Sequence, residues 1–231
     1  MRARPQQRAG RRPPSSSTKV VALLSSELCR PNHQLARTPP ACAHPGDIAS
    51  IGVQFGYTPS AETQRHMLAV PDGARCSHGF PQAFIYSPFS GKKPNAGGCR
   101  LSCPLLVQAA DDLENRGALR EFRKQRLEVS HSWRNWLRET NLAHAAHRCS
   151  LVGVSEAVRA KQTYGDEFVR QLLGNGVAGM SIYEADDISK RHDAKCFHAQ
   201  LADWICRVIA PPYHRHLCFV PIACRFILNL R

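Results

Sequence analysis

Three short blocks of this 231-residue chain hold side chains that can do chemistry: Cys76-Ser-His78, Cys99-Arg-Leu-Ser-Cys103-Pro104 and Cys196-Phe-His198. Thiolate sulfur and imidazole nitrogen are borderline-soft ligands, and a tetrahedral metal site takes four of them, often in close pairs. The metal reading uses Cys76, Cys103, Cys196 and His198, with Cys99 and His78 in reserve. Such a donor set favours zinc; an iron–sulfur cluster is the weaker choice of occupant. The Cys99-x-x-x-Cys103 spacing is usable and Cys-x-His occurs twice, but paired Cys-x-x-Cys knuckles are absent.

A second chemistry depends on helix ends. Cys103 stands just before Pro104, a residue suited to the first helical position, and Cys196 falls in the first turn expected for the last helix. Free backbone N–H groups there favour a thiolate. On this reading Cys103, Cys196 and His198 form the catalytic set, with His198 or His78 as base. Both readings require Cys76, Cys103, Cys196 and His198 to converge in space. The plain alternative is a non-enzymatic interaction module whose cysteines fill a core. Cys149, Cys206, Cys218 and Cys224 sit in apolar or tail contexts that suit inert thiols, while Cys29 and Cys42 lie near the N-terminus. Ten cysteines in so long and helical a chain do not read as a secreted disulfide framework, so a reducing compartment is expected. His144 and His147, three residues apart, read as a solvated helix face, and Trp133 and Trp136 as core.

The elements that must position these residues are mainly α-helical, with a small β-hairpin at the start of the domain. Residues 46–75 carry Gly52, Gly56, Pro59, Pro71 and Gly73 and read as a loosely structured linker. Ala83–Tyr86 reads as a strand, with Cys99–Ser102 as its return. Leu105, Leu106, Ala109 and Leu113 recur at helical spacing after Pro104, and Gly117 stops that run. A charged helix over 118–129 follows, then one capped by Ser132 and reaching about Arg148. The next starts at Ser155 and runs, with a break near Gly165, to Leu173. Gly174–Gly179 is a glycine-rich loop that matches neither a P-loop nor a dinucleotide fingerprint. The last helix is expected from Asp193 to Arg207, burying Phe197, Leu201, Trp204 and Ile205.

Charge separates the ends from the middle. The whole chain carries a formal net charge of +13, yet residues 46–206 hold 19 basic and 17 acidic residues. Residues 1–45 hold eight Lys/Arg against Glu27 alone, in an Arg- and Ser-rich leader of transit-peptide type or a disordered one. Residues 208–231 form an atypical apolar tail interrupted by Pro221 and Arg225. The expected organisation is one globular domain, 76–207, with flexible basic ends. Because that domain is near neutral and the charge sits at the ends, the basic balance is weak evidence for nucleic acid, and no run approaches the ~18 apolar residues of a membrane span. The setting expected is intracellular: an organelle if the leader is a transit peptide, the cytoplasm otherwise. Partners and oligomeric state have no signal of their own.

The strings Cys76-Ser-His-Gly-Phe-Pro-Gln82, Leu101-Ser-Cys-Pro104 and Lys195-Cys-Phe-His198 occur in this order, with Gly174–Gly179 before the last. Together they resemble the signature blocks of the bacterial domain of unknown function 501 family, over roughly Ala74 to Arg207. The resemblance implies a shared fold and the shortlist of cysteines and histidines above, but no activity. Ser102 stands where the family pattern has Thr, and Gln200 where it has a second His.

Overall fold

The computed structural model describes residues 43–90, 93–95, 98–152, 154–177, 194 and 196–209, all within one compact unit. The leader and tail expectations fall almost wholly outside these residues. Helix α1 (Pro45–Phe55) begins with proline at its first position, where His44 Nδ1 accepts from the Gly46 N–H at 3.1 Å. It ends at Gly56, whose φ of 73° supplies the left-handed turn. Helix α2 (Ala61–Arg65) is capped by Ser60 and leads into strand β1 (Met67–Ala69).

The segment 46–75 is therefore not a loose linker. Its prolines and glycines bracket elements instead of dissolving them. Ile51 and Met67 are fully buried against Ala43, Phe84 and Tyr86. Arg75 forks onto both oxygens of Asp47 at 2.7 and 3.0 Å, tying α1 to the chain that follows β1. The folded unit thus begins well before residue 76.

Strand β2 (Ala83–Tyr86) lies between β1 and a later strand in an antiparallel sheet, while β3 (Phe89–Ser90) and β4 (Lys93–Pro94) pair as a separate ribbon. The later strand, β5 (Cys99–Leu101), pairs Ala83 with Leu101 and Ile85 with Cys99. The expected hairpin is present, widened by β1 to three strands.

Helices supply most of the rest. They are α3 (Pro104–Asn115), α4 (Ala118–Phe122), which runs into a π-helical turn at Arg123–Leu127, and α5 (His131–Leu151). Next come α6 (Val154–Tyr164), α7 (Asp166–Gly174) and α8 (Phe197–Trp204), which continues into a second π-helical turn at Ile205–Ile209. Gly165, with φ 85°, makes the break between α6 and α7. The last helix starts at Phe197, four residues after the expected Asp193. Leu105, read as part of an inward face, is exposed; Leu106 and Leu113 turn inward as expected, and Ala110 joins them.

The main core forms where α8 and α3 pack on the sheet: Phe197, Leu201, Ala202 and Ile205 meet Ala83, Cys99, Leu101, Ala110 and Leu113. A second cluster joins Phe122 and Leu127 to Leu137, flanked by Trp133 and Trp136. Among the described residues no helix is long and apolar enough to cross a membrane.

Candidate functional site

The C-terminal turn of α3 faces the start of α8, and the two build a cluster around one carboxylate. Glu114 Oε1 accepts from the Phe197 N–H at 2.6 Å and the His198 N–H at 3.4 Å, so one helix caps another. The same oxygen lies 3.1 Å from His198 Nδ1, and Cys196 Sγ lies 3.9 Å from that nitrogen. One ligand atom each from Glu114, Cys196 and His198 fits within 4.8 Å of the others. The second ring nitrogen of His198 meets Asp111 Oδ1 at 3.2 Å, one turn earlier on α3. The site is half-buried. Burial works to raise the Glu114 carboxyl, but His198 and the Phe197 N–H outweigh it and hold the pKa below the ordinary value. Burial pushes the Cys196 thiol up; the Glu114 charge adds to this, and the Ala199 and His198 N–H groups offset only part of it.

Cys76 and Cys103 stand apart from this cluster. Cys76 opens a turn closed by Gly79, and the Cys103 N–H donates to Gln82 O at 3.2 Å just before α3. Cys103 precedes Glu114 by the length of α3, which at 1.5 Å per residue is roughly 16 Å. Cys103 and Cys196 thus sit at opposite ends of that helix, beyond shared ligation or disulfide reach. The four-residue convergence expected from sequence is not assembled; only its Cys196–His198 half is, with Glu114 added. His78 is exposed in the Cys76 turn.

A second constellation is fully buried. His144, read as part of a solvated face, is only 2% exposed. Its Nδ1 lies 2.6 Å from Asp203 Oδ1, and its Nε2 lies 2.8 Å from Arg148 Nη2. A guanidinium only donates, so Nε2 must be the acceptor and the ring proton sits on Nδ1, facing Asp203. His144 is therefore neutral, in agreement with a pKa lowered by burial against the pull of Asp203. Arg207 grips both Asp203 oxygens, with Nε at 2.5 Å from Oδ1. Burial alone would raise the Asp203 carboxyl, but Arg207 and His144 hold it far below the usual range.

Two thiols complete this region. Cys99 is drawn down to about 6 by a hydrogen bond from Cys206 and by His147, against its own burial. The Cys206 thiol is pushed well up by burial and by Cys99 beside it. The two thiols are thus pulled in opposite directions, with Arg148 and Arg207 within electrostatic reach of Cys99.

The family model described as "Protein of unknown function (DUF501)" matches residues 72–212, well over half of the chain. The chain belongs to the DUF501 family. No curated protein and no solved structure matches it.

Glu114, Cys196, His198 and the whole buried network lie inside the DUF501 region, whereas α1 and β1 lie outside it. Cysteine spacing points to Cys196 and His198 but not to Glu114, which is 82 residues earlier and shows no local pattern. Nor does it point to the buried network of His144, Arg148, Asp203 and Arg207. Two signals were present: His144/Arg148 and Asp203/Arg207 are both (i, i+4) ionisable pairs flanked by apolar residues. The glycine-rich loop serves the network where it is described. The Val177 N–H donates to Asn141 Oδ1 at 2.8 Å, and Arg148 reaches Gly176 O at 3.5 Å. A Cβ on Gly176 would come within 2.3 Å of Asn141 Oδ1, so only glycine fits.

Proposed function

We propose that this protein binds one zinc-class divalent ion through Glu114 Oε1, Cys196 Sγ and His198 Nδ1. The observation that carries this is the shared 4.8 Å sphere of three different ligand atoms, offered from two helices. The 3.1 Å between Nδ1 and Oε1 suits two ligand atoms each about 2.1 Å from a common ion. The 3.9 Å from Sγ to Nδ1 must shorten by a few tenths of an ångström, which a small χ1 rotation of Cys196 supplies. Asp111 on Nε2 has the geometry of the carboxylate–histidine pair that orients a metal-bound imidazole and leaves the other nitrogen free to ligate. Three protein ligands leave one position for water, the open type of zinc site, and such an ion would supply Lewis-acid chemistry to a bound water.

Thiol catalysis is the weaker reading because the Cys196 pKa moves up, not down, so the thiolate is scarce until a metal displaces its proton. The test is calorimetric titration of chelator-treated full-length protein with zinc, with metal content measured in parallel. One ion per chain should bind, more tightly as pH rises and with proton release. Cys196→Ser and His198→Gln should abolish most binding, and Asp111→Asn should weaken it about 10- to 100-fold. Cys76→Ser and Cys103→Ser should change nothing. If zinc binds no better than ~1 mM, or binding survives loss of His198, the cluster is only a histidine held between two carboxylates.

A further inference from the structure

The near-neutral average over 46–206 hides a local excess. Between Arg116 and Arg138 the chain carries Arg116, Arg120, Arg123, Lys124, Arg126, Arg134 and Arg138 against only Glu121 and Glu128. The fold gathers these cations instead of scattering them. Gly117, in the left-handed conformation at φ 79°, turns α3 into α4. Arg120 lies back over that turn, its Nη2 3.1 Å from where a Gly117 Cβ would stand. Arg120, Arg123 and Lys124 follow at (i, i+3, i+4) spacing, so they share one face. Arg134 Nη1 donates to Leu127 O at 2.9 Å and Glu128 O at 3.2 Å, binding the start of α5 to the end of the π-helical turn. Phe122 and Trp133 pack edge-to-face at 5.8 Å beneath, fixing the two segments as one surface.

Two of the seven cations are engaged: Arg134 by those carbonyls and Arg123 by Glu128 at 3.5 Å. Arg116, Arg120, Lys124, Arg126 and Arg138 are all exposed and form no ion pair among the described residues.

We propose that this α4–α5 face binds the phosphate backbone of a nucleic acid. Its cations are mostly arginine, whose planar fork matches phosphate oxygens better than lysine does. From Arg120 to Arg126 the chain advances about 9 Å, enough to meet two or three phosphates at the ~3.4 Å axial spacing of one duplex strand. The chemistry fits a membrane less well. The large apolar side chains of these helices, Phe122, Leu127 and Leu137, turn into the core, and Val129 alone stands exposed among the cations of this stretch. No base-reading element is involved, so the recognition is of backbone charge, not of sequence.

The test uses the full chain and fluorescence anisotropy with a single-stranded RNA and a duplex DNA of about 20 units each, over a range of salt. Replacing Arg120, Lys124 and Arg126 together by alanine should weaken binding at least about 10-fold at ~0.1 M salt. It should also flatten the plot of log affinity against log salt by about 2 to 3, since each phosphate contact contributes ~0.7–0.9. All three side chains are exposed, so the melting temperature should hold. A control in which Lys161 and Arg170, each already paired with an acid, become alanine should bind within about two-fold of the parent. The proposal fails if the triple variant matches the parent in affinity and slope, which would assign binding to the basic ends. It also fails if the control loses as much, or if neither probe binds. Loss of binding to vesicles of phosphatidylcholine with phosphatidylglycerol, with nucleic-acid binding intact, would transfer the face to a membrane.

Discussion

A guanidinium has no acceptor atom, and that single fact sets the chemistry of the buried network. With Arg148 donating to Nε2, His144 must donate from Nδ1 to Asp203, and it has no nitrogen left to act as a base. The His144–Asp203 pair therefore resembles a catalytic dyad in composition but works as a strut that joins α5 to α8. Asp203 is the residue on which the strut depends, because it satisfies both His144 and Arg207. Asp203→Asn leaves the Arg207 charge without its counterion in a closed interior. It should cost about 3–5 kcal/mol in denaturant unfolding, the scale of a broken buried ion pair. A loss within ~0.5 kcal/mol would mean that water or a neighbour satisfies Arg207 instead.

Elements meet through residues distant in sequence, and Glu114 shows how. Its carboxylate closes the N-terminus of α8, which has no side-chain cap of its own at Cys196. The same oxygen is a candidate metal ligand. These two roles separate by substitution. Glu114→Ala should remove the cap and lower stability by about 1 kcal/mol, discounted for partial exposure. Glu114→Gln keeps an acceptor oxygen, so it should recover most of that stability while still weakening zinc binding. Melting curves with and without zinc distinguish the two; equal loss of stability in both variants would show that charge, not the hydrogen bond, is what α8 needs. At this scale the sequence also misleads in one place. Pro45 and Gly56 mark the two ends of α1, yet the same residue types in 46–75 read as a loosely structured linker because nothing local shows that Ile51 and Met67 have a cluster to enter.

For the whole molecule, His144 and Cys99 act in one direction between pH 8 and 5. His144 is held neutral by burial, so its folded pKa lies below the unfolded ~6.5, and the unfolded chain takes up a proton first as pH falls. Cys99, drawn down by Cys206 and His147, carries its charge to about pH 6, whereas an unfolded thiol loses it below ~8.5. A depressed acid stabilises above its unfolded pKa, and that stability is lost as pH falls through the folded value. Both contributions therefore decline together. Stability should fall by at least about 1 kcal/mol from pH 7.5 to pH 5, with Asp203 adding its loss below ~4. Chemical unfolding at a series of pH values reads this directly; a flat profile would mean that neither His144 nor Cys99 is shifted by folding. Cys99→Ser should flatten the upper part of the profile and leave the lower part, which His144 and Asp203 control.

What the sequence by itself determined is local or periodic. The α-helices after Pro104, the β2–β5 pairing, the stops at Gly117 and Gly165 and the family blocks are all legible, because backbone conformation and side-chain period act over a few residues. Cys196 with His198 was legible for the same reason. The tertiary structure alone decided which helix end brings the third ligand, and it placed Cys103 at the far end of α3 from Cys196. It also turned His144 from a surface residue into a core one, and it collected five cations that form no ion pair among the described residues on a domain with almost no net charge. Each of these depends on the distance between residues far apart in the chain, which packing sets and which no spacing along the sequence encodes.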